Sequence, residues 1–400
     1  MDIYQPAEDS YLLQKLVRQY STGRILDVGT GSGIQALTAM ESPNSREVIA
    51  VDINKKVVMQ LNQQIQEKKL RKIKAVQSDL FENVDGQFNL IIFNPPYLPQ
   101  DEGVEDKAIY GGEKGWELSE QFFSQVSKYL LPDGFVLFLF SSLTNKEKIE
   151  EIVTNNLLEF EEKVNEKLAF ERLYVYAVKK TTLLRELEGK GLENIHYFAK
   201  GKRGMVYTAI LDKSKLVKTH FPGKKNIVKV AIKVKREDSK ALGRTENEVK
   251  WLKKLQKEAI CPRFLFNGHQ YLAYEFVEGK FILDWIKNNS KEEIKKVLLK
   301  IIDQCFILDK MRVNKEEMHH PLKHILITRN NHPIWIDFER CKETEYPQNV
   351  TQFIEFVCRT TVELQQKGFK LSVNTLRELA KKYKETYFQQ SLQDLKNEIH

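Results

Sequence analysis

Arg24-Ile25-Leu26-Asp27-Val28-Gly29-Thr30-Gly31-Ser32-Gly33 is the stretch on which the fold turns. It begins as a short apolar run bounded by glycines, the pattern of a buried strand. Three glycines at alternate positions follow, and residues 34–40 then open a helix. Glycines at such a turn let backbone N–H groups approach a ligand, and the helix N-terminus adds positive potential. Dinucleotide and nucleotide sites share this turn, so it does not by itself identify the ligand.

Outward from it the alternation continues. Residues 47–53 read as the next strand, 55–69 have helical spacing, and 72–80 and 88–96 are two further strand candidates. Residues 119–131 are amphipathic, with Phe122, Val126, Tyr129 and Leu130 on one face, and Pro132-Asp133-Gly134 turns the chain into the apolar run 135–140. A helix near 146–155 precedes a final strand at 170–178. Strands and helices in this order predict a mostly parallel α/β sheet covered on both faces. Around Lys180-Thr181 the regime changes. Residues 195–235 read as antiparallel ribbon, and after Thr245 the chain is mainly helical with short strand pairs at 271–277 and 324–337. Two domains are expected, 1–180 and an α+β unit over 181–400.

Composition bounds the setting. Hydrophobic residues at 42% and charged residues at 30% of 400 fit a soluble globular chain, not a disordered or collagenous one. No apolar run is long enough to span a bilayer, and the opening MDIYQPAEDS lacks the apolar core of a secretory signal. Cys261, Cys305, Cys341 and Cys358 show no CxxC pairing, which argues against a disulfide framework and suits a reducing cytoplasm. Net charge is −6 over residues 1–180 and +14 over 181–400. The basic half suits RNA, a ribosome or an acidic protein, or is simply a lysine-rich solvated surface.

Acids mark the ends of successive strands. Asp27 sits at the glycine turn, Asp52 ends the next strand where a carboxylate can bind ribose hydroxyls, and Asp79 at the end of the third can meet an adenine amino group. The alternative reading makes Asp52 and Asp79 helix caps. Asn94-Pro95-Pro96-Tyr97 follows the apolar strand. Prolines lack N–H donors and hold the backbone, leaving the Pro95 carbonyl and the Asn94 side chain as two acceptors for a planar NH2, with Tyr97 as a flat wall. That set suits transfer of a methyl group from a sulfonium to nitrogen.

Residues 1–180 resemble a class I S-adenosylmethionine-dependent methyltransferase of the HemK type, the release-factor glutamine methyltransferases. The opening IYQPAEDSYLL resembles the short archaeal and eukaryotic branch. The resemblance implies a Rossmann-like, mostly parallel seven-stranded sheet. It implies that Tyr4, Pro6, Glu8 and Asp9 enclose the cofactor with Asp27, Gly29, Gly31, Gly33, Asp52, Asp79 and Asn94. It also implies that Asn94, Pro95 and Tyr97 hold a Gly-Gly-Gln glutamine of a peptide-chain release factor. A small zinc-binding activator protein is the implied partner.

The second half resembles an atypical, RIO-like protein kinase. Gly201-Lys202-Arg203-Gly204 stands where phosphates would be covered, Lys233 and Glu248 where a strand lysine and its helix glutamate pair, and Asp337 where a metal-binding acid sits. ATP and Mg are the implied ligands, Mg at Asp337. The catalytic loop departs: His319 falls at the expected Asp and His324 at the expected Asn, and Glu317 would serve as base only if the loop bulges. Glu339 replaces the glycine after Asp337-Phe338. Nucleotide binding is favoured over phosphorylation. A metal at His319, His320 and His324 lacks companion cysteines. Two other functions stay open: a nucleic-acid adenine N6 or guanine N2 methyltransferase, and an atypical Ser/Thr kinase with an accessory methyltransferase domain.

Overall fold

The computed structural model describes residues 4–99, 110–201, 204–212, 227–235 and 243–400. The chain separates into two compact units, dividing between Tyr197 and Phe198.

In the first unit α1 (Glu8–Tyr20), β1 (Gly23–Val28), α2 (Ile34–Glu41), β2 (Ser45–Asp52), α3 (Lys55–Glu67), β3 (Ile73–Gln77) and β4 (Phe88–Phe93) alternate as expected. After them come α4 (Glu117–Val126), β5 (Leu130–Ser141), α5 (Lys146–Asn155), β6 (Leu158–Lys167), β7 (Arg172–Lys180) and α6 (Thr182–Gly189). The sheet runs β3-β2-β1-β4-β5-β7-β6. Pairing is parallel from β3 to β5, while β7 runs antiparallel to both β5 and β6. The order reverses between β1 and β4, the crevice where open α/β sheets bind ligands beyond the strands' carboxyl ends.

Each face of the sheet buries a different chemistry. Leu12, Leu13 and Val17 of α1 pack with Ile25, Val48, Leu90 and Leu137 on one side. On the other, Phe93 stacks on Phe122 at 4.0 Å and Phe138 meets Phe123 edge-on at 5.0 Å. Aromatic pairs in these geometries add to the burial term.

The sheet has the seven strands that the resemblance implies, and two sequence expectations need correction. The residue pattern alone locates six of them: the seventh, β6, is an edge strand with little buried beyond Leu158, so no apolar alternation announces it. Asp79 does not end the third strand but lies two residues beyond it, past Gln77. Pro132-Asp133-Gly134 lies inside β5 as an irregularity, where Phe88 pairs with Leu130 but Leu90 pairs with Phe135. The bulge accommodates the proline there.

The second unit opens with β8 (Leu192–Lys200), which straddles the division, then β9 (Gly204–Asp212), β10 (Ile227–Lys235), α7 (Arg244–Leu255), β11 (Phe264–Asn267) and β12 (Tyr271–Glu275). These strands form one sheet in the order β11-β12-β10-β9-β8. Then come β13 (Gly279–Phe281), α8 (Ile282–Lys287), α9 (Lys291–Lys310), β14 (Val313–Asn314), β15 (Ile325–Thr328), β16 (Pro333–Trp335) and β17 (Lys342–Glu343). Helices α10 (Asn349–Arg359), α11 (Thr361–Gln366), α12 (Val373–Thr386) and α13 (Gln389–Asn397) close the chain.

Ser290 and Glu293 form a reciprocal capping box at the start of α9. Asp309 near its end accepts hydrogen bonds from Asn349 Nδ2 at 2.7 Å and the Tyr383 hydroxyl at 3.0 Å, tying α9 to α10 and α12. All four cysteines are free and buried. No helix among the described residues is long and apolar enough to cross a membrane.

Candidate active site

The glycine turn after β1 is held by a carboxylate beneath it. Asp27 Oδ2 accepts the Thr30 hydroxyl at 2.6 Å and the Ala36 N–H at 3.1 Å, so one buried oxygen fixes both the turn and the first turn of α2. Burial, which the two hydrogen bonds only partly offset, pushes the Asp27 carboxyl up to about 7. Gly29 and Gly31 take the left-handed conformation that side chains resist, at φ +67 and +50. The Gly31 N–H donates to Asp52 Oδ2 at 3.0 Å, and the Asn54 N–H to Asp52 Oδ1 at 2.9 Å. Each Asp52 oxygen thus keeps a further lone pair for a ligand hydroxyl.

A cleft of about 590 Å³ opens here, within the range of small-molecule sites. Tyr4, Asp9, Asp27, Gly29, Gly31, Asp52, Asp79, Asn94, Pro95 and Tyr97 all line it. Pro6, Glu8 and Gly33 are not among its lining residues. Glu8 is exposed in the first turn of α1. Gly33 has a packing reason instead: at φ +82, an added Cβ would stand 2.8 Å from Leu61 Cδ1.

Asp9 organises the Asn94 end of the cleft. Its Oδ1 takes the Tyr4 hydroxyl at 2.9 Å, and its Oδ2 takes Asn94 Nδ2 at 2.7 Å. Committing the Asn94 NH2 to a carboxylate settles which way the amide faces: Oδ1 is the atom left over, buried and without a hydrogen-bond partner among the described residues. Burial, then the Asp9 charge, raises the phenols of both Tyr4 and Tyr97 above their ordinary value, so both rings stay neutral.

The backbone around Asn94-Pro95-Pro96-Tyr97 is clamped by residues the sequence pattern does not single out. The Thr144 hydroxyl donates to the Tyr97 carbonyl at 2.8 Å. A Cβ on Gly111 would come within 2.5 Å of the Pro96 carbonyl, and one on Gly115 within 2.7 Å of the Tyr97 carbonyl. Three glycines within residues 111–115 were the available signal. Gln35 is a second omission: its Nε2 donates to the Ser10 carbonyl at 2.8 Å, tying α2 to α1, while its buried Oε1, on the cleft wall, lacks a partner among the described residues.

The second unit assembles its own charged cluster. Lys233 Nζ on β10 lies 2.7 Å from Glu248 Oε2 on α7 and 3.0 Å from Asp337 Oδ1. Burial acts to lower the Lys233 pKa, yet the two carboxylates hold it above the usual lysine value. Burial likewise pushes Asp337 upward, and Lys233 and Lys315 outweigh it, holding the carboxyl below its usual range. Asp337 takes φ +63, and the Lys315 ammonium, itself lowered by burial, donates to its carbonyl. Lys315 went unnoticed in the sequence, where it looks like any surface lysine.

Glu317 stands at φ +69, ion-paired to Arg340, with its Oε2 3.7 Å from His324 Nε2. His324 Nε2 is also 3.9 Å from Asp337 Oδ2, whereas His319 is exposed. Gly204 sits in β9 opposite Lys235, where a Cβ would meet the Val234 carbonyl at 2.4 Å. The Gly201 N–H donates to the Gly204 carbonyl at 2.8 Å, and residues 202–203 lie outside the described part of this hairpin. Among the described residues no group of three or more His, Cys, Asp or Glu is arranged to hold a metal ion.

Comparison with known proteins bears on the first unit. The methyltransferase small domain family matches residues 8–170. Over 152 residues the chain is 36% identical to an inferred protein N5-glutamine methyltransferase of Methanocaldococcus jannaschii, spanning 37% of this chain and 76% of that one. Over 136 residues it is 30% identical to the release factor glutamine methyltransferase of Deinococcus radiodurans, 32% of this chain and 49% of that one. It is 29% identical over 168 residues to the human methyltransferase HEMK2, 38% of this chain and 78% of the other. The match therefore spans about half of the bacterial relative and three quarters of the archaeal one.

Proposed function

We propose, for a chain that belongs to the protein N5-glutamine methyltransferase family, that its first unit methylates the side-chain nitrogen of a protein glutamine, the acceptor being the Gly-Gly-Gln glutamine of a peptide-chain release factor. Membership in this family implies S-adenosylmethionine as the methyl donor. The cleft suits such a donor: two glycines of the turn take positive φ beside it, and Asp52 retains lone pairs for ribose hydroxyls.

The observation that carries the reading is the unpartnered Asn94 Oδ1, oriented by Asp9. A primary amide presents two hydrogens in one plane, and its nitrogen lone pair is normally delocalised into its own carbonyl. Asn94 Oδ1 accepting one hydrogen and the Pro95 carbonyl the other would fix that plane and favour the more nucleophilic, pyramidal nitrogen. Tyr97, neutral and half-buried, packs alongside. When bound, the donor supplies a sulfonium methyl: the N–C bond forms, the S–C bond breaks with its electron pair left on sulfur, and the nitrogen sheds one proton to solvent. Because no residue need remove a proton first, the site requires acceptors rather than a strong base.

The test is methyl transfer by the purified chain to a release factor, read by mass spectrometry of the Gly-Gly-Gln peptide. Methylated adenine or guanine in added nucleic acid, with the glutamine untouched, would overturn the reading in favour of a nucleic-acid enzyme.

For the second unit we propose a protein-kinase-like fold that binds ATP, with Mg held at Asp337. The Lys233–Glu248–Asp337 cluster supports this, since a lysine so paired is poised for phosphates. Calorimetry with MgATP should give saturable binding that Lys233→Ala weakens at least tenfold. Heat indistinguishable from dilution would remove the proposal.

A further inference from the structure

The register of the sheet brings a second carboxylate to the acceptor end. Phe93 pairs with Phe138 on one side of β5, and Ser141 pairs with Leu173 on the other. Because β7 is antiparallel, its amino end lies at the same edge of the sheet as the carboxyl ends of β4 and β5. Asn94 follows Phe93 directly, and Glu171 stands two residues before Leu173.

The turn after β5 clamps the two segments. Its Ser142 hydroxyl oxygen accepts the Arg172 N–H at 3.0 Å, and its Thr144 hydroxyl donates to the Tyr97 carbonyl at 2.8 Å. After burial and the Asp9 charge, the Glu171 charge is a further cause raising both the Tyr4 and the Tyr97 phenols. Glu171 Oε2 is itself buried and has no hydrogen-bond partner among the described residues. A buried carboxylate oxygen left unpaired is costly, so its natural partner is a ligand. Glu171 does not line the cleft that holds the glycine turn and Asn94, so its partner is a group that extends beyond that cleft.

We propose that Glu171 Oε2 accepts a main-chain N–H of the polypeptide segment that presents the methylated side chain. The segment is then held twice, through its side-chain amide by Asn94 and through its backbone by Glu171. Phe170, next to Glu171 in the chain and 96% exposed, offers that segment an apolar face. A phosphodiester strand has no backbone N–H to give and carries the wrong charge, so Glu171 also selects against nucleic acid.

This inference rests on the glutamine reading, and the experiment separates the two. The full chain is assayed with a synthetic Gly-Gly-Gln peptide and with ester analogues in which single backbone N–H groups are replaced by oxygen. Glu171→Ala should raise KM for the peptide about tenfold, as one lost hydrogen bond predicts, with kcat and S-adenosylmethionine affinity unchanged. Glu171→Gln, which keeps an acceptor, should stay within about threefold. One ester should cost the parent protein about tenfold and cost Glu171→Ala nothing further. An unchanged KM in Glu171→Ala, or ester costs equal in both proteins, would overturn the proposal while glutamine methylation stood. A parent protein that binds the donor yet methylates no glutamine would instead remove the underlying reading, and this assignment with it.

Discussion

Asp9 and Asn94, 85 positions apart in the chain, meet through a 2.7 Å hydrogen bond that turns the Asn94 carbonyl oxygen away from Asp9. Removing the carboxylate lets the amide rotate, and in half of its orientations it offers NH2 to an incoming NH2. Asp9→Ala should therefore lower kcat by roughly 100-fold, the scale of losing one positioned polar group. Asn94→Ala should lower it at least as much. The double variant should be no worse than Asn94→Ala alone, because Asp9 acts on the acceptor through Asn94. Additive losses in single-turnover kinetics would show that Asp9 has a separate role.

Asp27 predicts a pH dependence of stability. Its carboxyl is raised by burial to about 7 in the folded protein, against 3.8 for the ordinary group. Between those values the native state keeps a proton that the unfolded chain has released. The stabilisation is thus fully present below 3.8 and is lost as pH rises through about 7. The loss is on the order of 4 kcal/mol. Asp27→Asn retains an oxygen for the Thr30 and Ala36 donors but does not titrate. Urea midpoints of the donor-free protein should fall across that window in the parent and less steeply in the variant. Parallel curves would mean that Asp27 is ionised throughout.

Gly33→Ala should destabilise the first unit by about 1–3 kcal/mol, from the strained backbone and from overpacking against Leu61. Adding Leu61→Ala relieves the clash but not the backbone strain, so the pair should couple favourably by about 0.5–1 kcal/mol in a double-mutant cycle. Thermal unfolding measures both. Purely additive costs would place the penalty in the backbone alone.

Lys233 also has a structural duty. Only 3% of the Glu248 side chain is exposed, and Lys233 is the cation against it. Lys233→Met should strand that charge and lower the stability of the second unit by roughly 3–5 kcal/mol. Lys233→Met with Glu248→Gln, which removes both charges, should recover most of it. Scanning calorimetry checks the order: a double variant no more stable than the single one would refute the pairing argument.

What the sequence revealed was what short stretches can carry. The glycine turn, Asp52 at a strand end and Asn94-Pro95-Pro96-Tyr97 were legible as places in the fold because each is local and its position follows from adjacent residues. The helix at Lys146–Asn155 was legible because one of its faces is buried. Strand β6 was not, since it pairs along one edge and exposes most of its side chains, leaving mixed charges with no period. The task of Asp9 depends on a partner four strands later in the chain, which no spacing rule reaches. Lys315 escaped for a related reason. Among so many lysines, nothing marks one as 2% exposed beneath Asp337 and Phe338 until the fold closes over it.

The four cysteines, finally, make the molecule its own reporter. All lie in the second unit, and burial pushes Cys261 and Cys341 up to about 12, so neither is a thiolate at neutral pH. Since the thiolate is the reactive form, alkylating reagents should find the native protein nearly inert. The first unit contributes no sulfhydryl signal at all. Pulsed alkylation followed by peptide mapping would therefore time the opening of the second unit alone, with each cysteine marking when its own neighbourhood first admits solvent.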